Sequence, residues 1–137
     1  MHMAYELTWY ARDEVLYLGM EGNLSIEELK AINEEMMAIL DSTPRKLNLM
    51  IEVSALTAGY STVDSLRSTQ KYRDHLKLDS IIGIANNKLN RLITLLAFNL
   101  CRADFVQFDS RDKAELYLSE KGIAASSRLT NPTRSDN

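Results

Sequence analysis

The segment from Asp79 to Ser110, DSIIGIANNKLNRLITLLAFNLCRADFVQFDS, restricts the folds open to this chain more than any other. A short apolar run, Ile81-Ile82-Gly83-Ile84-Ala85, ends at Asn86-Asn87. A helix-length stretch follows, and a second short run, Phe105-Val106-Gln107-Phe108, stops at Asp109-Ser110. Strand, helix and strand within about thirty residues is the size of a βαβ crossover unit. Gly83 in the first strand predicts a close approach of the following helix.

The rest of the chain supplies matching pieces. Tyr5 to Tyr10 is aromatic and β-favouring and predicts strand one. Arg12-Asp13-Glu14 predicts a turn, and Val15 to Leu18 a second, antiparallel strand that ends at Gly22-Asn23. Ser25 with Glu28 three residues later forms a capping box for helix one. Leu29, Ile32, Met36, Ile39 and Leu40 recur at helical spacing and predict its buried stripe, and Thr43-Pro44 ends it. Leu47 to Ile51 is nearly all apolar, as in a strand covered on both faces. Helix two is expected from Ser61 or Thr62 to about Leu76, with weak amphipathy and a peripheral position. Helix three is expected from about Lys88 to Arg102. Ser110 caps helix four, with Ala114, Tyr117 and Leu118 inward and Gly122 as its stop. The order ββαβαβαβα predicts an α/β fold. Its mixed sheet has parallel central strands, helices packed on it and an antiparallel edge. With 137 residues, the chain has the size of one domain; it is expected over residues 4–122, with a disordered tail at 123–137.

Composition narrows the function. The net charge is −3, and a nucleic-acid surface normally needs a basic stripe. The cluster Arg67, Lys71, Arg73, His75 and Lys77 is diluted by Asp64 and Asp74 and reads as a solvated helix face. The single cysteine, Cys101, leaves no intrachain disulfide to form. No secretory signal is visible. The apolar stretch Leu89 to Cys101 is too short and too interrupted to span a membrane, so a cytoplasmic location is expected. The glycines are scattered and form no phosphate-binding loop. His75 stands alone, and Glu27-Glu28 and Glu34-Glu35 are helix neighbours pointing apart, so no metal site is expected. Cys101 lies near a helix C-terminus, where the dipole disfavours a thiolate. No cofactor and no catalytic set is expected.

Helix three carries more apolar surface than one core-facing side needs. Leu89, Leu92, Ile93, Leu96 and Leu100 form one stripe, assigned to the core. Arg91, Leu95, Phe98 and Arg102 form a second stripe and are the candidate interaction surface, since arginine and aromatic residues are enriched at interfaces. The alternative is that another helix covers Leu95 and Phe98. The expected role is a non-enzymatic interaction or regulatory module that binds a protein partner or self-associates, for instance as a homodimer. The alternative function is binding of a small apolar ligand or lipid between the sheet and helix two or three. Ser61 is a candidate phospho-acceptor at a helix N-terminus; the competing reading is a plain N-cap serine.

The order of elements, with Tyr5-Glu6-Leu7-Thr8-Trp9, Ile84-Ala85-Asn86-Asn87 and Val106-Gln107-Phe108-Asp109-Ser110 in sequence, resembles the STAS-like domain family. The likeness covers about residues 4–121. It is nearest to the stand-alone, uncharacterised bacterial branch described as SpoIIAA-like. In that family, anti-sigma-factor antagonists bind a partner kinase and are switched by phosphorylation of a serine that begins the helix after the third strand. The resemblance places Ser61 at that position. The family's Asp-Ser-Ser-Gly-like string is replaced here by Gly59-Tyr60-Ser61-Thr62, without the preceding aspartate or the following glycine.

Overall fold

The computed structural model describes residues 5–57, 59–99 and 101–125. Its strands are β1 (Tyr5–Ala11), β2 (Val15–Gly22), β3 (Leu47–Leu56), β4 (Leu78–Ile84) and β5 (Asp104–Phe108). Its helices are α1 (Ile26–Ser42), α2 (Tyr60–Thr69), α3 (Lys88–Phe98) and α4 (Arg111–Glu120), with a short 3₁₀ helix at Lys71–Asp74. The five strands form one sheet in the order β1-β2-β3-β4-β5. The β1–β2 pair is antiparallel and the other pairs are parallel. The mixed α/β architecture expected from the residue pattern is the one observed. Asp13, at φ +60°, makes the hairpin turn, and Glu14 N–H closes it on Ala11 O at 2.9 Å.

Successive parallel strands advance across the sheet in one direction. Right-handed crossovers then place every crossover helix on the same face. That face holds the larger core: Leu16, Leu18, Leu49, Ile51 and Ile81 from the strands meet Leu29, Ile32, Met36 and Leu40 of α1, Leu66 of α2, and Ile93, Ala97 and Phe98 of α3. Among the described residues the opposite face has α4 alone. Its Ala114 and Leu118 pack on Val15, Met50, Ile82 and Ile84, and Ile123 joins them. The rest of the expected tail, residues 126–137, lies outside the described residues.

The α1 capping box is formed as expected: Ser25 Oγ accepts from Glu28 N–H at 3.1 Å, and the Glu28 carboxylate accepts from Ser25 N–H at 2.8 Å. Helix α2 departs from expectation. It ends at Thr69 instead of near Leu76, and Gly59 is its N-cap instead of Ser61. Tertiary bonds set the end. Gln70 turns inward, and its Nε2 donates to Leu29 O at 2.9 Å. Asn33 Oδ1 of α1 accepts from Lys71 N–H (2.8 Å) and Tyr72 N–H (3.2 Å), which winds the 3₁₀ turn. Gln70 and Tyr72 are fully buried, so this segment is docked and not peripheral. Three members of the basic cluster are likewise structural. Arg73 Nη1 donates to Ala97 O at 2.5 Å, His75 Nε2 pairs with Asp41 Oδ1 at 2.7 Å, and Lys77 Nζ donates to Thr43 O at 3.1 Å.

Candidate functional site

Helix α3 begins where Asn87 Oδ1 accepts from Asn90 N–H at 2.8 Å. It ends at Phe98, before the expected Arg102. Arg73 places its guanidinium on a terminal carbonyl, a favourable site for a cation at the negative end of the helix dipole. The buried residues are Asn90, Ile93, Thr94, Ala97 and Phe98. Their spacing, i, i+3, i+4, i+7 and i+8, defines one helix face.

Local bonding and size select that face. Asn90 Nδ2 donates to Val53 O (2.7 Å) and Leu56 O (2.9 Å), satisfying carbonyls at the end of β3. Thr94 Oγ1 donates to Asn90 O at 2.7 Å. The small Thr94 and Ala97 let the helix settle close to β4. A Cβ at Gly83 would stand 3.3 Å from the Phe105 ring, a tight fit, and 3.4 Å from Thr94 Cγ2, an ordinary contact. Helix α3 does pass over Gly83 at contact distance, but the neighbour that leaves least room for a side chain there is the Phe105 ring of β5. Phe98 fills the space beside the fully buried Tyr72, their ring centroids 6.4 Å apart and near-parallel at 25°.

This corrects the stripe assignment. Phe98, read as surface, is completely buried. Leu89, Leu92 and Leu96, read as core, are 51%, 50% and 50% exposed, and Leu95 is 37% exposed. Leu100 lies outside the described residues. The leucines could not pack on the sheet once the Asn90 bonds to β3 had fixed the rotation of the helix. Arg91 is half-buried, and Arg102 is exposed beyond the helix end. Four of the large apolar side chains that the molecule exposes thus lie on the outward face of one eleven-residue helix. The small residues Thr94 and Ala97, in phase with Asn90 and opposite Gly83, were the available sequence signal for the inner face.

Ser61 is exposed in the first turn of α2. Thr62 Oγ1 accepts from Gly59 N–H at 2.8 Å, so the capping hydroxyl is supplied by Thr62 and not by Ser61. Ser61 borders a cavity of about 280 Å³ between the starts of α1 and α2, with Ser25, Leu29, Leu56, Thr62 and Leu66 among its walls. A larger groove of about 710 Å³ runs along β1–β3 and is lined by Glu6, Glu21, Glu35 and Glu52 with Tyr5 and Tyr17. Tyr17 lies across Gly19, where a Cβ would meet its hydroxyl at 2.8 Å, and donates to Glu52 Oε1 at 3.0 Å. Burial, and then the Glu52 carboxylate, push the Tyr17 phenol up to about 12. Tyr5 donates to Glu35, and that bond is the main cause pushing its phenol up to about 12. Both phenols are therefore protonated donors at neutral pH. Sequence reasoning did not bring these residues together, because they meet only through the pairing of β1, β2 and β3 and the packing of α1 beside β1.

Cys101 is half-buried, and burial pushes its thiol above the ordinary value, which leaves little thiolate. Among the described residues no three His, Cys, Asp or Glu side chains converge as a metal site would require. No helix among them is long and apolar enough to cross a membrane.

Comparison with known proteins bears on the fold. No protein-family model and no curated protein matches the sequence. Among solved structures the chain is similar to an uncharacterized protein of the DUF3478 family from Shewanella loihica PV-4, which has a SpoIIAA-like fold. The TM-score is 0.60 at 17% identity, over 84% of this chain and 92% of that one. The chain has a SpoIIAA-like, STAS-like fold, with one five-stranded mixed sheet and four α-helices among the described residues.

Proposed function

We propose that this chain is a non-enzymatic protein-interaction module whose contact surface is the outward face of α3. One observation carries the reading: Leu89, Leu92, Leu95 and Leu96 share a face turned away from the sheet and are 37–51% exposed. A soluble domain rarely concentrates its large exposed apolar side chains on one element unless that element is covered in use. Burying each half-exposed leucine would contribute roughly 1 kcal/mol to binding. The SpoIIAA-like fold is compatible with such a role, though fold alone does not set function. The surface now comprises Leu89, Leu92, Leu95 and Leu96, with Arg91 and Arg102 at its margins. Phe98 belongs to the core. Within this reading Ser61, exposed in the first turn of α2, is the candidate point of control by phosphorylation.

The test is photo-crosslinking in native cells. A photoreactive residue in place of Leu92 is expected to give a discrete protein adduct. The same residue in place of Leu116, exposed on α4, is expected to give none. Equal labelling at both positions, or none at either, overturns the reading. A second reading, a small apolar ligand, is favoured by the 280 Å³ cavity that Leu24, Ile26, Leu29, Leu56 and Leu66 help to line. A ligand retained through purification and seen by native mass spectrometry would support it.

A further inference from the structure

We infer that the α3 face takes an acidic, apolar helix of a different protein and not a second copy of this chain. The inference rests on the reading above and deepens it by naming the chemistry of the partner. Segment 88–99 contains Lys88 and Arg91 and no carboxylate, and Arg102 follows it. The side chains of Lys88 and Arg102 make no hydrogen bond or ion pair among the described residues. The acid that Arg91 influences, Asp109, is already paired with Lys113 Nζ at 3.0 Å. The acid beside Arg102, Asp74, lies 4.0 Å from Arg73 Nε and accepts the Arg102 backbone N–H at 3.3 Å. Positive charge is thus concentrated around the leucines of a chain whose net charge is −3.

That rim discriminates between occupants. A twofold pairing of α3 with itself would match leucine with leucine but gather the cations of both copies around one apolar seam. Neither helix brings a carboxylate to offset them, and like-charge juxtaposition opposes docking. A helix with Leu, Ile or Met at i, i+3, i+4 and i+7, flanked by Asp or Glu, satisfies both the apolar face and the rim. Helix α3 is roughly 16 Å long, which matches about three turns of such a partner.

The experiment is selection from a random helical-peptide display library. The baits are the wild-type chain, a Leu92→Asp/Leu96→Asp variant and a Lys88→Glu/Arg91→Glu variant, each verified as folded by circular dichroism. The wild type is expected to enrich apolar helices flanked by acids. Their affinity should fall by roughly tenfold or more for the charge variant and vanish for the leucine variant. The charge variant should itself enrich basic flanks. Enriched peptides with neutral or basic flanks, bound equally by the charge variant, overturn the acidic partner and leave the leucine face standing. An absence of peptides that depend on Leu92 and Leu96 overturns both. A wild-type dimer dissociated by Leu92→Asp/Leu96→Asp assigns the face to a second copy and overturns the inference. So does binding to phosphatidylglycerol vesicles that depends on Lys88 and Arg91, without acidic peptides being enriched.

Discussion

Helices α1 and α3 cross the same face of the same sheet, yet they sort their residues in opposite ways. Helix α1 buries Leu29, Ile32, Met36 and Leu40 and leaves Glu27, Lys30, Glu34 and Asp41 outside. Helix α3 buries Asn90, Thr94 and Ala97 with Ile93 and Phe98, and leaves four leucines outside. Apolar periodicity decides the buried face when a helix has one apolar face, as α1 does. When both faces are apolar, periodicity is silent. Size and hydrogen bonding then decide: Asn90 satisfies two β3 carbonyls, and Thr94 and Ala97 fit against a strand that carries Gly83.

The comparison can be broken by mutation, with urea unfolding as the measure. The largest expected effect is Phe98→Ala, which removes a fully buried ring beside Tyr72 and should destabilise by roughly 3–5 kcal/mol. A small effect would return Phe98 to the surface. Asn90→Ala comes next. It strips the donors from Val53 O and Leu56 O and should cost about 1–3 kcal/mol, although a polar residue is replaced by a better helix former. If Asn90→Ala stabilises the protein, bonding does not select the face. On α1, Ser25→Ala removes the capping hydroxyl and should cost about 1 kcal/mol. Leu92→Ala and Leu96→Ala are expected to move stability by no more than about 0.5 kcal/mol. A loss above about 2 kcal/mol at either leucine would mean that the outward face is packed in solution and that the contrast with α1 is false.

Much of the fold was legible in the residues. The hairpin, the capped α1 with its stripe, the βαβ unit around Gly83 and the element order all follow from local rules. The site was legible only in part. That α3 has a surplus apolar face could be read from leucine spacing. Which face is surplus could not, because the answer depends on carbonyls of β3 that lie more than thirty residues earlier. The end of α2 was hidden for the same reason, since Asn33 of α1 redirects the chain at Lys71 and Tyr72. The Tyr17–Glu52 pair joins residues 35 positions apart and has no local signature.

The strand order β1-β2-β3-β4-β5 bears on how the molecule is assembled during synthesis. Each new strand leaves the ribosome to find its neighbour already made, so the sheet can grow at one edge without threading or insertion. The helix-covered side matures in step with it. The other side waits for α4: Met50, Ile82 and Ile84 gain the cover of Ala114 and Leu118 only when that helix arrives. The emergence of α4 therefore decides when this side of the newborn sheet stops presenting a sticky surface to its surroundings.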